Sequence, residues 1–453
     1  MPQERITQAV VVIHGIGEQR PMDTLRSFVD AVLPDQAEGG EKYFSKPDRL
    51  SESFELRKLQ NRSQPRTHFY EYYWAYKVEG TTLSHIWSWL SSLLFRRPSR
   101  VPKQLLSLWV LSWFLIGISI FAAFAGVAQY VSDFTSRYPA FLISAVSTTA
   151  FAILQGGVIH YLGDSARYLS PSPRNIKLRQ EIRTDCIKLL KSIHESGDYD
   201  RVIVVGHSLG SVIAYDALKH LWQEYYRVYE EPAASEQGAL RAVEDAGEVL
   251  SNNGQEDRLE WYQEAQIELW RELRELGNPW LVTDLITLGS PLAHSAMLLA
   301  SDSDDLKARQ RQRELPTNPP VPEIEVRDGQ ERHRYSFRVW ERYKGNIQLR
   351  AVHHAGLFAC TRWANLYYPA YWNLFGDIVA GPLNDWFGLG IRDLPVTSSN
   401  LLVKYTLKAH TAYWRKEATG NSLGSKKQQL ALPALVKALD LDGTSVFLRL
   451  KPS

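Results

Sequence analysis

The sequence predicts an α/β fold, with a mostly parallel sheet of about six strands and flanking helices, interrupted by a two-helix transmembrane hairpin. Three observations lead to this prediction. Short apolar runs typical of buried strands are separated by long connections, several with helical spacing. One strand leads through a glycine-flanked serine into a helix. Two uncharged runs, Leu105 to Ser132 and Tyr138 to Gly163, each exceed the ~20 residues that a helix needs to cross a bilayer core.

The composition limits the class of protein. Of 453 residues, 44% are hydrophobic and 23% charged, which is typical of a folded chain with an ample core. The formal net charge of +2 shows no basic excess of the kind that nucleic-acid binders carry, so we expect no nucleic-acid partner. The two cysteines, Cys186 and Cys360, have no metal-ligand spacing. We therefore expect no metal and no cofactor, and a reducing compartment.

Basic residues flank the two uncharged runs on their outer sides. Arg96, Arg97, Arg100 and Lys103 precede the first run, and Arg167, Arg174, Lys177 and Arg179 follow the second. The turn between them carries only Asp133 and Arg137. By the positive-inside rule, both ends of the hairpin and the rest of the chain are expected to be cytoplasmic, with the bilayer as a partner. The alternative is that both runs are buried core helices of a large globular protein.

The predicted elements on either side of the hairpin form the sheet and its covering helices. Strands are predicted at Val10 to Ile13, Thr67 to Tyr76, Arg201 to Val205, Leu285 to Leu288, Trp363 to Tyr367 and Leu401 to Tyr405. Helices are predicted at Pro173 to Glu195 and Ser211 to Trp222. The predicted organisation is 1–80 (first part of the main domain), 81–103 (interfacial lead-in), 104–163 (hairpin), 164–222 (main domain), 223–280 (helical insertion), 281–300 (a further strand), 301–344 (polar insertion) and 345–453 (C-terminal part).

The main chemical signal is Gly206-His207-Ser208-Leu209-Gly210, set between a buried strand and an amphipathic helix. A sharp strand-to-helix turn projects the serine hydroxyl above the sheet edge and requires small neighbours two positions away on each side. The N-terminus of the following helix favours developing negative charge. This setting predicts that Ser208 is a nucleophile. The alternative is a tight turn with an incidental serine.

A serine nucleophile needs a base, and the base needs an orienting acid. His410 follows the predicted last strand, where the base belongs, and we expect it to act as the base. Asp377 follows the strand at Trp363 to Tyr367 by a loop of suitable length and is the expected acid. Later candidates for the acid are Asp385 and Asp393, whereas Asp284 precedes its strand and is expected at the wrong sheet edge. Surface solvation or capping is the alternative role for Asp377.

The tetrahedral oxyanion of acyl transfer needs two hydrogen-bond donors. The backbone N–H of Leu209, directly after the nucleophile, is expected to be one of them. The second is expected in the turn His14-Gly15-Ile16-Gly17, after the first strand. Ile16 is the first choice there and Gly15 the next. The alternative is that these glycines only form a tight turn.

Four motifs together resemble the α/β-hydrolase superfamily: HGIGEQ after the first strand, GHSLGS at the nucleophile, LGSPL at Leu288 to Leu292, and a late histidine. The chain looks most like lipase-like, membrane-associated members, including bacterial proteins of uncharacterised substrate. The resemblance implies the order nucleophile, acid and base, which Ser208, Asp377 and His410 satisfy, and it favours Ile16 and Leu209 as oxyanion donors. This sequence departs from that pattern in the long aromatic run of its acid loop, YYPAYWNLFGD.

These observations predict a membrane-anchored serine hydrolase with a cytoplasmic catalytic domain, acting on lipid-like acyl esters through an acyl-serine intermediate. The strand at Thr67 to Tyr76 leads almost directly into the hairpin, so the active-site mouth is expected near the bilayer. Two alternatives stay open. The same triad could hydrolyse thioesters or peptides, because a triad does not select the leaving group. The chain could also be a catalytically silent membrane scaffold. The oligomeric state is left open.

Overall fold

The computed structural model describes residues 6–15, 20–35, 40–77, 98, 103–132, 149, 168, 173–229, 237–252, 256–327, 329–339, 349–372, 375–417 and 428–447. The strands are β1 (Thr7–Ile13), β2 (Tyr43–Pro47), β3 (Arg57–Asn61), β4 (Arg66–Tyr72), β5 (Arg201–His207), β6 (Val282–Leu288), β7 (Glu323–Arg327), β8 (Gln330–Arg334), β9 (Ser336–Val339), β10 (Leu349–Val352), β11 (Arg362–Tyr367), β12 (Ile391–Thr397) and β13 (Gln429–Leu430). The α-helices are α1 (Asp23–Val32), α2 (Lys103–Ser132), α3 (Pro173–Glu195), α4 (Leu209–Tyr225), α5 (Gly238–Asn252), α6 (Glu256–Glu275), α7 (Ser295–Leu298), α8 (Ser303–Arg311), α9 (Asn384–Phe387), α10 (Leu401–Lys404), α11 (Ala431–Leu439) and α12 (Thr444–Phe447).

One sheet of nine strands organises the described residues, in the order β13-β12-β11-β6-β5-β1-β4-β3-β2. The strands from β13 to β4 run parallel to one another, and β3 and β2 extend one edge in antiparallel pairing. Every residue of the central strands β5 and β6 is buried. This is the burial expected of parallel strands that are covered by helices on both faces.

Side chains of the central strands point alternately to the two faces of the sheet, and the core is therefore divided into two layers. Val204 packs on the face covered by α3, α4 and α6, together with Leu285 of the neighbouring strand. Val205 and Ile286 pack on the opposite face, against residues of α1 and α11. Successive side chains of a strand point to opposite faces, so continuous apolar runs such as RVIVV supply both layers. Parallel strands also carry their carboxyl ends to one edge of the sheet, and the residues that follow β1, β5 and β11 meet there.

The two insertions pack together beside the sheet. An apolar stripe along α6, continued by the residue after it, is buried in the described structure and forms a packing face: Tyr262, Ala265, Leu269, Leu273 and Leu276. The polar insertion forms the antiparallel pair β7–β8, and β9 pairs with β10. The buried carboxylate of Glu244 on α5 joins them, because it accepts hydrogen bonds from Arg334, the Tyr335 backbone N–H and Ser336.

The predicted sheet of about six strands is wrong, because the sheet has nine strands and is mixed. The strands that were missed lie towards the edges, where β2 is short and mostly exposed and β13 spans two residues. Such strands carry no buried apolar run that could predict them. The strand predicted at Leu401 to Tyr405 is also wrong. Asn400 accepts a hydrogen bond from the Leu402 N–H and thereby caps the short helix α10.

The predicted two-helix transmembrane hairpin is contradicted as well. Its first run coincides with α2, while the second run, 138–163, lies outside the described residues apart from 149. In the part of the chain that the structure describes, no helix combines the length and the apolar character that crossing a bilayer demands. The absence of charged residues, on which the prediction was based, does not by itself meet this requirement. The expectation that the Ser208 edge faces a bilayer loses its basis, and the lead-in over 81–103 lies outside the described residues except at 98 and 103.

Candidate active site

Ser208 occupies a sharp turn between β5 and α4. Its backbone has φ 52° and ψ −127°, a conformation that residues with a side chain rarely adopt. The turn is held in place because the Ser208 N–H donates to the Leu288 carbonyl of β6 at 2.9 Å. Strained backbone of this kind persists only where the surroundings hold it, and it is concentrated at functional sites. The turn therefore has the geometry of the predicted nucleophile elbow.

Close backbone packing explains the glycines around this serine. A Cβ atom on Gly206 would lie 2.5 Å from the Cα of Ser211, and one on Gly210 would lie 2.1 Å from the carbonyl oxygen of Ile13. Real Cβ atoms do not approach other heavy atoms so closely. The Gly-x-Ser-x-Gly pattern is thus required by the space between β1, β5 and α4.

Ser208, His410 and Asp377 form one chain of hydrogen bonds. His410 Nε2 lies 2.8 Å from Ser208 Oγ, and His410 Nδ1 lies 3.0 Å from each carboxylate oxygen of Asp377. All three side chains are buried. A carboxylate can only accept, so His410 Nδ1 carries the proton, and Nε2 is left to accept from the serine hydroxyl. The structure thus brings the three predicted residues together in the order that general-base activation needs.

The carboxylate of Asp377 is held ionised by its partners. Burial alone would raise its pKa, but the electrostatic interaction and hydrogen bond with His410 and the hydrogen bond from Tyr413 outweigh this effect and leave the pKa below its usual range. Tyr413 donates to Asp377 Oδ2 at 2.7 Å, and the backbone N–H of Val379 donates to Oδ1 at 3.1 Å. Tyr413 was not singled out in the sequence. Only its position three residues after His410 could have indicated its role.

The loop that carries His410 is anchored by the elbow itself. His207 Nε2 lies 2.7 Å from the carbonyl oxygen of His410 and, because a carbonyl only accepts, His207 donates this bond. Burial lowers the pKa of His207 to about 3, so its ring is neutral at neutral pH. The structure adds a positioning contact between the elbow and the loop of the base.

The aromatic acid loop forms a small hairpin before Asp377. Tyr371 and Phe375 exchange two backbone hydrogen bonds, of 2.7 and 3.0 Å, with Trp372 at the tip. Gly376 follows with φ 104°, and a Cβ there would lie 2.5 Å from the Pro369 carbonyl oxygen. Trp372 and Phe375 are thus exposed, while Tyr368 of the same run is buried and the glycine turns the chain towards the buried acid.

The structure describes only some of the residues that are predicted to supply the oxyanion donors. Leu209 is the first residue of α4, and the first N–H groups of a helix have no partner within it. Ile16 lies outside the described residues. Gly15, the next choice, packs against the nucleophile, since a Cβ there would lie 2.9 Å from the Cβ of Ser208. The end of the segment after β1 that the structure describes therefore lies next to Ser208.

The structure also assigns a role to His14 that sequence reasoning missed. The Trp74 backbone N–H donates to His14 Nε2 at 3.1 Å, so Nδ1 carries the proton and donates to the Gly15 carbonyl at 2.7 Å. Burial lowers the pKa of His14 to about 4, which keeps the ring neutral. His14 thus holds the carbonyl directly before the predicted donor Ile16. The His-Gly dipeptide was the available signal.

The other acidic candidates are engaged elsewhere. Asp393 accepts hydrogen bonds from Asn365 and from the backbone N–H groups of Leu383 and Asn384. Asp284 pairs with Arg201 and Arg362. Asp385 is exposed in the first turn of α9. Of the four aspartates considered, Asp377 lies within hydrogen-bond distance of His410 Nδ1.

Comparison with protein-family models, with curated proteins and with solved structures finds no match to this chain. The resemblance to the α/β-hydrolase superfamily therefore stays a prediction made from motifs. Any functional conclusion depends on the geometry of the chain's own residues.

Proposed function

We propose that the protein is a serine hydrolase that cleaves acyl esters through a covalent acyl intermediate on Ser208. The observation that carries this proposal is the buried hydrogen-bonded chain from Ser208 Oγ through His410 to Asp377. Nucleophile, base and orienting acid in hydrogen-bond reach are the arrangement that activates a serine hydroxyl. The strained backbone of Ser208 supports the same role.

The proposed reaction has two halves. Ser208 Oγ attacks the ester carbonyl while its proton passes to His410 Nε2, and Asp377 stabilises the resulting imidazolium. The carbonyl oxygen becomes an oxyanion beside the Leu209 N–H at the start of α4, where the helix dipole favours negative charge. Nε2 then gives its proton to the departing alcohol. Water repeats the sequence on the acyl-serine and releases the carboxylic acid and free Ser208.

Exposed apolar side chains close to Asp377 and His410 in the sequence favour a substrate with a long acyl chain. They lie on the two segments that lead into the acid and the base, and we call them the apolar rim: Trp372, Phe375, Leu401, Leu402 and Tyr405. Trp372 is 82% exposed and Leu402 is 67% exposed. Tyr371 joins the two segments, because its ring centroid lies 5.1 Å from that of Tyr405. Exposed apolar patches of this kind commonly mark binding surfaces, so we propose lipid-like esters as the substrate class.

Covalent labelling tests the proposed chemistry directly. A fluorophosphonate probe is expected to label the wild type and Ser303→Ala, an exposed serine on α8, but not Ser208→Ala. Circular dichroism of all three proteins checks that they are folded. The proposal would be refuted if the folded wild type took up no label or if Ser208→Ala were labelled equally. Absence of labelling would favour the alternative hypothesis of a catalytically silent scaffold.

Matched substrates separate the possible bond types. An ester, a thioester and an amide with the same acyl chain are compared by kcat/KM on the wild type, with Ser208→Ala as the blank. The proposal expects the ester to be turned over faster than the amide. A preference for the thioester or the amide would instead favour the alternative activities, thioester or peptide hydrolysis by the same triad.

The apolar rim makes a separate prediction about chain length. Trp372→Asn combined with Phe375→Ser is expected to lower kcat/KM for a long-chain p-nitrophenyl ester about tenfold, because apolar contact area is lost. Hydrolysis of the butyrate ester is expected to stay within about twofold, since a short chain does not reach the rim. Asn suits position 372, whose φ is 52°. Ile324→Ser, at an apolar residue of β7 that is 61% exposed, is the control. Equal losses on both esters would contradict a role in recognising the acyl chain.

A further inference from the structure

The motif LGSPL continues β6 into a loop that contacts the segments carrying Ser208, Asp377 and His410. We call residues 289–294 the β6 loop. Its second part, Pro291–His294, forms a 3₁₀ turn that Ser290 caps by accepting the Leu292 N–H at 3.2 Å. Every residue of the loop is buried. The proposed chemical steps use none of them, so their contacts with the triad segments need a separate explanation.

The side chain of His294 holds a peptide bond of the acid loop. His294 Nε2 lies 3.0 Å from the Ile378 carbonyl oxygen and, because a carbonyl only accepts, His294 donates this bond. The N–H of the same peptide unit belongs to Val379 and donates to Asp377 Oδ1 at 3.1 Å. The C=O and N–H of a planar trans peptide point in opposite directions. By fixing the carbonyl, His294 therefore also directs this N–H at the carboxylate.

The oxygen that the Val379 N–H fixes is one that serves the base. Asp377 Oδ1 lies 3.0 Å from His410 Nδ1 as well. His294 itself is fully buried, and burial lowers the pKa of its ring, which is therefore neutral at neutral pH. A neutral imidazole has one N–H, and the Ile378 carbonyl accepts it. His294 thus acts on the base through the acid.

The hydroxyl of Ser290 is linked to the nucleophile elbow. Ser211 Oγ lies 2.6 Å from the Ser208 carbonyl oxygen and 2.7 Å from Ser290 Oγ. A hydroxyl has one proton and a carbonyl only accepts, so Ser211 donates to the carbonyl and Ser290 donates to Ser211. Ser211 and Ser290 are both fully buried. The strained Ser208 backbone is thus held at its carbonyl by this pair, and at its N–H by Leu288, which ends β6.

The backbone of Gly289 lies against the base. A Cβ on Gly289 would lie 3.2 Å from His410 Nδ1 and 2.9 Å from the nearest ring atom of Tyr413. Both rings therefore pack directly on the start of the β6 loop. One short segment thus touches the base, holds the peptide that follows the acid, and bonds to the elbow.

We propose that His294 and Ser290 are positioning residues of the triad, His294 for the acid and Ser290 for the nucleophile. Each acts through another group: His294 through the Ile378–Val379 peptide, and Ser290 through Ser211. We therefore expect their loss to lower kcat and to leave KM almost unchanged. This inference rests on the proposed hydrolysis. A purely structural role is the alternative, and it would lower stability without a selective loss of kcat.

Steady-state kinetics on the ester that the wild type turns over best test the role of His294. His294→Phe keeps the volume of the ring but removes its N–H, so kcat is expected to fall about tenfold while KM stays within about twofold. His294→Gln has an amide nitrogen that extends about as far as Nε2, and it is expected to restore kcat to within about threefold of the wild type.

His353→Phe is the matched control for His294→Phe. His353 is also buried, and its Nε2 donates to a carbonyl outside the triad, that of Val321, at 3.1 Å. Its loss removes the same kind of bond, so stability is expected to fall while kcat changes less than about twofold. Circular dichroism checks the fold of each variant. If His294→Phe unfolds, His294→Asn replaces it, because the shorter amide stays polar but does not reach Ile378.

The rate of fluorophosphonate labelling tests the role of Ser290. Ser290→Ala leaves Ser211 Oγ without a donor, so the second-order rate constant for labelling Ser208 is expected to fall about fivefold. Ser295→Ala is the matched control. Ser295 is fully buried directly after the β6 loop, and its hydroxyl has no hydrogen-bond partner among the described residues. Labelling of Ser295→Ala is expected to stay within about twofold of the wild type.

Proton NMR separates this inference from the proposed function, because it needs no hydrolysis. The proton that His410 Nδ1 donates to Asp377 is expected to resonate far downfield, and its loss in His410→Gln identifies it. His294→Phe is expected to move this resonance upfield, because a less firmly held carboxylate accepts a weaker hydrogen bond. His294→Gln and His353→Phe are expected to leave it in place.

The outcomes distinguish the two proposals. If the folded wild type takes up no label, the proposed hydrolysis fails, and the position of the NMR resonance alone decides whether His294 positions Asp377. The role of His294 is overturned if its folded Phe or Asn variant keeps the wild-type kcat and resonance, if His353→Phe loses as much kcat, or if His294→Gln recovers nothing. The role of Ser290 is overturned if Ser290→Ala is labelled as fast as Ser295→Ala.

Discussion

Asp377→Asn is expected to lower kcat by about 10⁴-fold while the protein stays folded. In the wild type, the carboxylate accepts the proton of His410 Nδ1, so Nε2 is free to accept from Ser208 Oγ. A carboxamide can instead donate to Nδ1 and favour the tautomer that carries its proton on Nε2. That tautomer cannot act as a base towards Ser208. Steady-state kinetics on the ester that the wild type turns over best measure the loss, and circular dichroism checks the fold.

Two further variants control for this result. Asp385→Asn alters the exposed alternative acid and is expected to leave kcat within about twofold, because surface substitutions have small effects. Tyr413→Phe removes one donor to Asp377 but keeps the carboxylate, so a loss of about tenfold is expected. If Asp377→Asn kept most of its kcat, or Asp385→Asn lost it, the acid would have to be reassigned.

Gly210→Ala is expected to lower the free energy of unfolding by about 3 kcal/mol or more. The added Cβ would lie 2.1 Å from the carbonyl oxygen of Ile13 and 2.6 Å from that of His14. Both are backbone atoms at the end of β1, so neither can turn away as a flexible side chain would. Relief requires α4 to move from β1, which would displace the elbow and lower labelling of Ser208. Urea unfolding followed by circular dichroism measures the change.

Gly238→Ala is the matched control for this substitution. Gly238 begins α5, is exposed, and has no atom within 4 Å of an added Cβ. Alanine also favours helix over glycine, so a change between zero and a gain of about 1 kcal/mol is expected. Similar unfolding free energies for Gly210→Ala and the wild type would mean that the elbow does not pack on β1 as described.

Strong local sequence patterns were sufficient to predict the central strands and helices of the fold. The helix predicted at Pro173 to Glu195 has those bounds in the structure, and the run RVIVV is part of β5. Ser208 was predictable because the strand, the turn and the helix follow one another directly in the chain. The two glycines are spaced as they are because the turn leaves no room for a Cβ atom at either position. Sequence patterns did not predict the elements whose residues are incompletely buried or buried on one side only, as in β2, β13 and α10.

The absence of charged residues did not suffice to predict the hairpin. It predicted two spanning helices, and no described helix meets the joint requirement of length and apolar character. The tertiary contacts of His14, His207 and Tyr413 were likewise invisible in the sequence, because each depends on an atom from another segment.

By itself the sequence determined that this chain has buried strands, helices to cover them, and one serine held in a strand-to-helix turn. These features depend on periodicity and sterics within a few neighbouring residues. Only the tertiary structure decided which carboxylate serves His410, since Asp377 lies 33 residues from His410 and Ser208 lies 202 residues from it. Contacts between residues so far apart in the chain depend on the order of the strands in the sheet, and local sequence patterns do not specify that order.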